Sequence, residues 1–130
     1  MDDPAAVFAE FLASYRAVVN ANDADAYGAL FTDDAIRVPA NSVVERGPDE
    51  IAESEGSDYA VAKWSVELQP VDVFAIGDRH IFGLAHADAS QVFYADDSKG
   101  SKDALKTFLL EEHDGRWLIK RYMWNVKPEG

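Results

Sequence analysis

The residue with the sharpest chemical implication in this sequence is an arginine in a predicted strand hairpin. Asp114 and Gly115 separate two apolar-rich runs, and Asp-Gly between alternating hydrophobic residues predicts a two-residue type I′ turn. Counting outward from that turn places Arg121 opposite Phe108, on a mostly apolar face. A partly buried guanidinium needs an anion, and its fork geometry suits a carboxylate or a phosphate. Arg121 therefore marks either a ligand site or a structural ion pair.

Asp72 is the candidate general base. It lies between two valines in a predicted strand, where loss of water would favour the neutral carboxyl and a paired Arg121 would favour the carboxylate. The turn predicted at Gly77-Asp78 gives a register that puts Asp72 opposite Gly83. Pro70 leaves an alternative open, since a bulge there would shift the register by one residue and turn Asp72 to the other face.

Histidine and serine residues offer further alternatives. His86 and Asp88 share one strand face and could be an acid–base pair, metal ligands or polar contacts of an interface. The pattern lacks a third matched ligand, so we predict no metal site, and we expect no cofactor. His80 and His113 lie beside predicted turns, where solvent reaches them. No serine has the context of a nucleophile elbow, so a hydrolase triad is not indicated.

The elements that must position these residues begin with helices. Asp3 and Pro4 suit the start of a helix, and an apolar stripe follows at helical spacing, made of Val7, Phe8, Phe11, Leu12, Tyr15, Val18 and Val19. Asp23 predicts a second short helix that reaches Phe31. Pro48 begins a third short helix, which we expect to end at Gly56.

Strands follow the helices. A short strand over 35–39 puts Arg37 on one face, and two long hairpins are predicted over 63–94 and 105–126. Helices that precede strands favour an α+β fold, with the helices packed on one face of the sheet. Both faces of the last hairpin are too apolar for water, so a second subunit is expected on the face of Leu109, Tyr122 and Trp124.

Composition limits the function classes. The chain has 130 residues, of which 48% are hydrophobic, and this fits a single domain over 1–130. Its formal charge of −12 argues against nucleic acid and anionic membranes as partners. The absence of cysteine excludes disulfides and thiolate chemistry. The N-terminus Met1-Asp2-Asp3-Pro4 does not read as a signal peptide, no apolar run could span a bilayer, and we expect a cytoplasmic protein.

Short motifs in a fixed order run along nearly the whole chain. They are 21–26, 29–35, Pro39-Ala40-Asn41, Arg46-Gly47 with Ile51, Gly77-Asp78, and 114–119 followed by Trp124-Asn125. Together they resemble the nuclear transport factor 2-like superfamily, in its SnoaL-like and ketosteroid-isomerase-like branches, and above all its small single-domain proteins of unknown function. The resemblance implies a cystatin-like fold, in which a cone-shaped curved mixed or antiparallel sheet carries three N-terminal helices on its concave face. It also implies a pocket inside the cone.

The resemblance also assigns individual residues. The oxyanion-hole tyrosine of the isomerases falls on Tyr15, their general base on Pro39 and their protonated carboxyl partner on Phe108. Proline cannot abstract a proton and phenylalanine cannot donate one, so steroid-type isomerisation by these three groups is disfavoured. Tyr15 is then either a hydrogen-bond donor to a substrate oxygen or part of the helix core.

The inward faces implied by the resemblance define a candidate pocket. Its catalytic candidates are Tyr15 and Asp72, and its ligand-binding candidates are Arg37, Trp64, Phe74, Phe108, Arg121 and Met123. We expect a small, mostly apolar ligand with an anionic or carbonyl end. The function is either that of a cofactor-free isomerase, cyclase or dehydratase, or that of a non-catalytic ligand-binding or association module. A homodimer is expected through the outer sheet face, at Leu109, Tyr122, Trp124 and His86.

Overall fold

Three helices and six strands make up the computed structural model, which describes residues 3–127. The helices are α1 (Pro4–Ala21), α2 (Ala24–Gly28) and α3 (Gly47–Val61). The strands are β1 (Phe31–Val38), β2 (Glu45–Arg46), β3 (Ala62–Ile76), β4 (His80–Phe93), β5 (Lys99–His113) and β6 (Arg116–Val126). Met1 and Asp2, on which the expectation about a signal peptide partly depends, lie outside the described residues.

The strands form one sheet in the order β2-β1-β6-β5-β4-β3. β1 runs parallel to β6, and the other neighbours are antiparallel. The sheet is curved and does not close into a barrel. The predicted α+β fold, with a curved mixed sheet and N-terminal helices, is thereby confirmed. Within residues 3–127, no helix is long and apolar enough to cross a membrane.

Helix α1 lies across the concave face of the sheet. The Asp3 side chain caps its start by accepting a hydrogen bond from the Ala5 amide, and Pro4 occupies the first turn, as predicted. Helix α1 contacts β3 along its length, and its apolar stripe also reaches β4 and β5, where Phe8 lies over Gly83 and its ring meets Phe108 edge-on. A Cβ atom at position 83 would overlap the Phe8 ring, so glycine is what lets the helix approach the sheet this closely.

The last hairpin has the predicted turn and an unpredicted bulge. Asp114 and Gly115 have φ values of 51° and 84°, as a type I′ turn requires. The predicted pairing holds as far as Leu110 opposite Ile119, but the next pair is Leu109 with Arg121, so Lys120 is an extra residue on β6. A one-residue shift exchanges the faces of a strand. Beyond the bulge, every β6 side chain therefore points opposite to the prediction.

The pairing of β3 with β4 also departs from the predicted register, at two places. Its turn has three residues, 77–79, which moves Asp72 opposite Leu84 instead of Gly83. A bulge at Val71 then restores the predicted register, so Leu68 pairs with Ala87 as expected. The bulge beside Pro70, the alternative that the sequence left open, is the one observed.

Helix α3 is longer than predicted. It continues through Gly56 to Val61 and does not end at Gly56. Gly56 faces α2, where an added Cβ atom would lie in ordinary contact with Ala24 at 3.5 Å. The last two turns of α3 bring carboxylates to the mouth of the cone, which gives them a role in the site.

Candidate functional site

A cavity of about 560 Å³ opens between the helices and the concave face of the sheet. This volume lies within the usual range for small-molecule sites. Apolar and aromatic groups form much of its wall, namely Val19, Trp64, Val66, Ala89, Ala104, Trp124 and Val126. Polar groups line the rest, including Tyr15, Tyr27, Arg37, Asn41, Ser54, Glu55, Asp58, Lys102 and Lys106.

A chain of three tyrosine hydroxyls forms the deep end of the cavity. The Tyr15 hydroxyl lies 2.9 Å from that of Tyr27 and 2.8 Å from that of Tyr122. All three side chains are buried, and burial raises the pKa of each phenol well above its usual value. The phenols therefore stay protonated and act as hydrogen-bonding groups rather than as phenolates.

Arg37 closes one end of the hydroxyl chain. β1 pairs Arg37 directly with Glu45 of β2, and the Arg37 Nε atom donates to the Glu45 carboxylate at 2.5 Å. Its Nη1 atom donates to Glu55 at 2.6 Å and to the Tyr27 hydroxyl at 3.0 Å, and its Nη2 atom donates to the Ser54 hydroxyl at 3.2 Å. Two carboxylates thus neutralise this guanidinium, which is only 1% exposed. Arg37 is a structural cation and not a free anion receptor.

Lys106 lies at the other end. Its Nζ atom donates to the Tyr122 hydroxyl at 2.7 Å, and it lies 4.2 Å from the ring centroid of Trp124. The residue is 8% exposed, and within residues 3–127 it forms no ion pair. Burial lowers the pKa of Lys106 to about 7, while the charge of Glu55 opposes that shift and the charge of Arg37 adds to it. The amine can therefore hold or release a proton near neutral pH.

The carboxylates of α3 complete the electrostatics of the cavity. Burial raises the pKa of Asp58, and the neighbouring Glu55 carboxylate adds to the effect. The backbone carbonyl of Asp58 accepts a hydrogen bond from the Trp64 indole at 3.2 Å. The mouth of the cavity thus combines an acidic helix end with an aromatic wall.

Comparison with known proteins gives the family. Residues 8–124 match the SnoaL-like domain. The chain belongs to the SnoaL-like family. No curated protein matches it in sequence at a significant level. The family resemblance inferred from the motifs is thereby confirmed.

Solved structures share the fold at low sequence identity. A ketosteroid isomerase-like protein from Erwinia carotovora has a TM-score of 0.87 and 20% identity, over 99% of this chain and 100% of its own. A Xanthomonas campestris protein is provisionally described as a calcium/calmodulin dependent protein kinase II association domain. It has a TM-score of 0.87 and 19% identity, over 99% of this chain and 91% of its own. A Novosphingobium aromaticivorans protein, provisionally described as a scytalone dehydratase, has a TM-score of 0.86 and 14% identity, over 94% of this chain and 83% of its own. At these identities, the similarity shows the fold alone.

The cavity of this SnoaL-like domain brings together three of the sequence-predicted site residues. Tyr15, Arg37 and Trp64 all line it. Tyr15 is buried in the helix core and also lines the cavity. Phe108 is fully buried beneath the cavity, where its ring stacks on Tyr122 with centroids 4.5 Å apart.

Four predicted residues lie on the outer face of the sheet, and their predicted inward placement is wrong. Arg121 and Met123 point outward because of the bulge at Lys120, and the Arg121 guanidinium donates to backbone carbonyls of Asp34 and Lys120. Asp72 and Phe74 point outward because the turn before β4 has three residues. The bulge also reverses the direction of the Tyr122 and Trp124 side chains, which were predicted on the outer face. Trp124 lines the cavity, and Tyr122 is buried beneath it.

Sequence reasoning missed Lys106, Glu55 and Asp58. A signal for Lys106 was present, because it alternates with Phe108 and Leu110 and so shares their buried face. Asp58 was missed because the helix was expected to end at Gly56, whereas α3 continues to Val61. Glu55 lies within the predicted helix, but no local pattern shows that its side chain reaches Arg37 of β1.

His86, Asp88 and Asp103 cluster on the outer face of β4 and β5. One ligand atom from each lies within 4.8 Å of the others, so this set could hold a divalent cation. The His86 imidazole is hydrogen-bonded to the Asp103 carboxylate. That pairing accounts for the closeness of two of the three groups without an ion. The cluster is separate from the cavity.

Proposed function

We propose that this SnoaL-like domain binds a small, mostly apolar compound with a carbonyl or carboxylate group, and that Lys106 holds that group. The observation behind the proposal is the buried Lys106 amine, which lines the cavity and hydrogen-bonds only to the Tyr122 hydroxyl among the side chains of residues 3–127. A buried donor with unused hydrogen-bonding capacity favours a ligand that supplies an acceptor. Carbonyl and carboxylate oxygens are suitable acceptors for an amine or ammonium group.

Proton transfer beside a carbonyl group is the reaction class that the site supports best. A base for this chemistry works best when its pKa is near the working pH, and the pKa of Lys106 is lowered to about 7. The Tyr122 hydroxyl, 2.7 Å away, is a second proton donor. Tyr15 is one hydrogen bond farther and acts as a positioning residue through Tyr122. The proposed activity is therefore a cofactor-independent isomerisation or dehydration. One structural relative is described as ketosteroid isomerase-like and another, provisionally, as a scytalone dehydratase.

Ligand binding is tested first by calorimetry and thermal shift with a panel of small aromatic and aliphatic carboxylates and ketones. A hundredfold excess over Kd should stabilise the wild type by about 2.7 kcal/mol. Lys106→Met should lose most of this stabilisation. Lys99→Met makes the same substitution at an exposed lysine of the same strand, outside the cavity lining, so it is the matched control and should keep it. Equal stabilisation of wild type and Lys106→Met would contradict the proposal.

Catalysis is tested separately, on the ketone that binds most tightly. In D2O, the wild type should exchange the α-protons of that ketone faster than buffer does, as followed by proton NMR. Lys106→Met should exchange them at the buffer rate. Binding without exchange by the wild type would favour the alternative function, a ligand-binding or association module without turnover.

The outer face of the sheet supports the proposed homodimer and the association alternative. Apolar side chains are concentrated there, namely Phe74, Phe82, Leu84, Leu105, Leu109 and Met123, and Phe74, Leu105 and Met123 are between 40% and 51% exposed. Exposed apolar side chains gathered on one sheet face favour a protein partner. One structural relative is provisionally described as an association domain.

Light scattering tests the dimer. The wild type should have twice the mass of the chain, and Leu105→Glu with Met123→Glu should be monomeric. Val43→Glu with Val44→Glu is the control, because these valines are similarly exposed but lie in the loop between β1 and β2. A monomeric wild type, or a double variant that stays dimeric, would contradict the homodimer.

A further inference from the structure

The surroundings of Lys106 distinguish it from the other cations near the cavity. Arg37 is buried but donates to two carboxylates and two hydroxyls. Lys102 also lines the cavity, but it is exposed and its Nζ atom lies 5.8 Å from the ring centroid of Trp64. Lys106 is buried, lines the cavity and, within residues 3–127, has no carboxylate partner in an ion pair. Buried lysines are rare unless paired, so an unpaired one in a cavity indicates a chemical role.

We propose that Lys106 is a nucleophile and that its Nζ atom forms an imine with small aldehydes or ketones bound in the cavity. This assignment rests on the proposed function, because it needs the carbonyl compound to bind at Lys106. It goes further in naming a covalent bond and in restricting the reactive ligands to aldehydes and ketones. Carboxylates would bind in the same place without reacting.

The reaction balances without a co-reactant. The Nζ lone pair attacks the carbonyl carbon, the C=O π electrons move to oxygen, and a carbinolamine forms after one amine proton reaches that oxygen. The second amine hydrogen and the hydroxyl group then leave as one water molecule, and the C=N bond forms. No electrons are gained or lost by the protein.

The Tyr122 hydroxyl has the position that this proton movement requires. It lies 2.7 Å from Nζ, so it can pass a proton between the nitrogen and the oxygen of the carbinolamine. Its other partner is the Tyr15 hydroxyl at 2.8 Å, which holds it in place. Tyr122 therefore acts as a proton shuttle beside the reacting atoms.

The charged and titratable groups around Lys106 come from several elements and leave the amine free to react. Burial disfavours its ammonium form, the Arg37 charge does the same, and the Glu55 charge opposes them. The charged and titratable groups that line the cavity with Lys106 are Tyr15 of α1, Tyr27 of α2, Arg37 of β1, Glu55 and Asp58 of α3, and Lys102 of β5. Tyr122 of β6 contacts Nζ directly through its hydroxyl. At pH 7 an amine with a pKa of about 7 has a neutral fraction on the order of 10³-fold larger than that of an ordinary exposed lysine.

Reductive trapping tests the imine on the full chain. The protein is incubated at pH 7 with benzaldehyde and sodium cyanoborohydride, and benzylated peptides are identified by mass spectrometry. We expect one benzyl group on Lys106, added roughly tenfold or more faster than on any other lysine. Lys106→Arg and Lys106→Met should lose this adduct. Lys99→Arg, at an exposed lysine of the same strand that does not line the cavity, should keep it. Peptide mapping of the wild type gives the answer even where a variant fails to fold.

Binding of benzoate and benzaldehyde, measured by thermal shift, separates the two proposals. If both compounds stabilise the wild type through Lys106 but no adduct forms there, the imine is refuted and the proposed ligand site stands. Labelling spread evenly over the exposed lysines would also refute the imine. If neither compound binds and Lys106 is not labelled, both proposals fail.

Discussion

The burial of Lys106 should make the stability of this domain rise with pH above neutrality, and Lys106→Met should remove that rise. In the unfolded chain, a lysine keeps its proton up to a pKa of about 10.4. In the folded protein, burial lowers the pKa of Lys106 to about 7. Between these values the unfolded state binds one more proton than the folded state, so a higher pH favours folding. Below pH 7 both states are protonated and the effect ends.

The magnitude follows from the same linkage. One proton bound only by the unfolded state gives a slope of about 1.36 kcal/mol per pH unit. Between pH 7.5 and 9.5, the free energy of unfolding of the wild type should therefore rise by about 2.5 kcal/mol relative to that of Lys106→Met. The charged neighbours Arg37 and Glu55 are present in both proteins, so their own contributions largely cancel in the difference.

Urea unfolding at pH 7.5, 8.5 and 9.5 measures this difference by linear extrapolation. Methionine is a suitable replacement because its unbranched side chain fills much of the space of the lysine stem. Lys102→Met is the matched control, because it makes the same substitution at an exposed lysine of the same strand, and its unfolding is measured at the same three pH values. A difference between wild type and Lys106→Met that stays constant over this pH range would refute the inference that the folded protein holds a neutral amine.

Further changes test the packing and the corrected positions. Gly83→Ala should lower stability by about 1 to 3 kcal/mol in thermal unfolding, because its methyl group overlaps the Phe8 ring, and an unchanged melting temperature would contradict this packing. Arg37→Met leaves the buried Glu45 and the partly buried Glu55 without their cation and should cost about 3 to 5 kcal/mol in urea unfolding at pH 7. Gly115→Val should cost about 1 to 2 kcal/mol, because φ is 84° at that position. Asp72→Asn, on the outer face, should leave ligand binding unchanged in calorimetry.

Local physical chemistry in the sequence determined the α+β layout and the starts of α1 and α2. Asp3 and Pro4 begin α1 where capping rules predict, and the type I′ turn at Asp114 and Gly115 follows from the residue types alone. The order of the helices and strands then gave the α+β layout. These features depend on neighbours a few residues apart, so the sequence is sufficient to predict them.

Long-range contacts decided which side chains line the cavity. The bulge at Lys120 is held by β1, because the Lys120 amine pairs with the Asp34 carboxylate at 2.7 Å and the Arg121 guanidinium donates to the Asp34 carbonyl at 3.0 Å. These partners are 86 and 87 residues away in the chain, so no local pattern of β6 contains them. One extra residue reverses every later side chain of a strand. The tertiary structure alone therefore places Tyr122 and Trp124 beside the Lys106 amine, where the sequence predicted Arg121 and Met123.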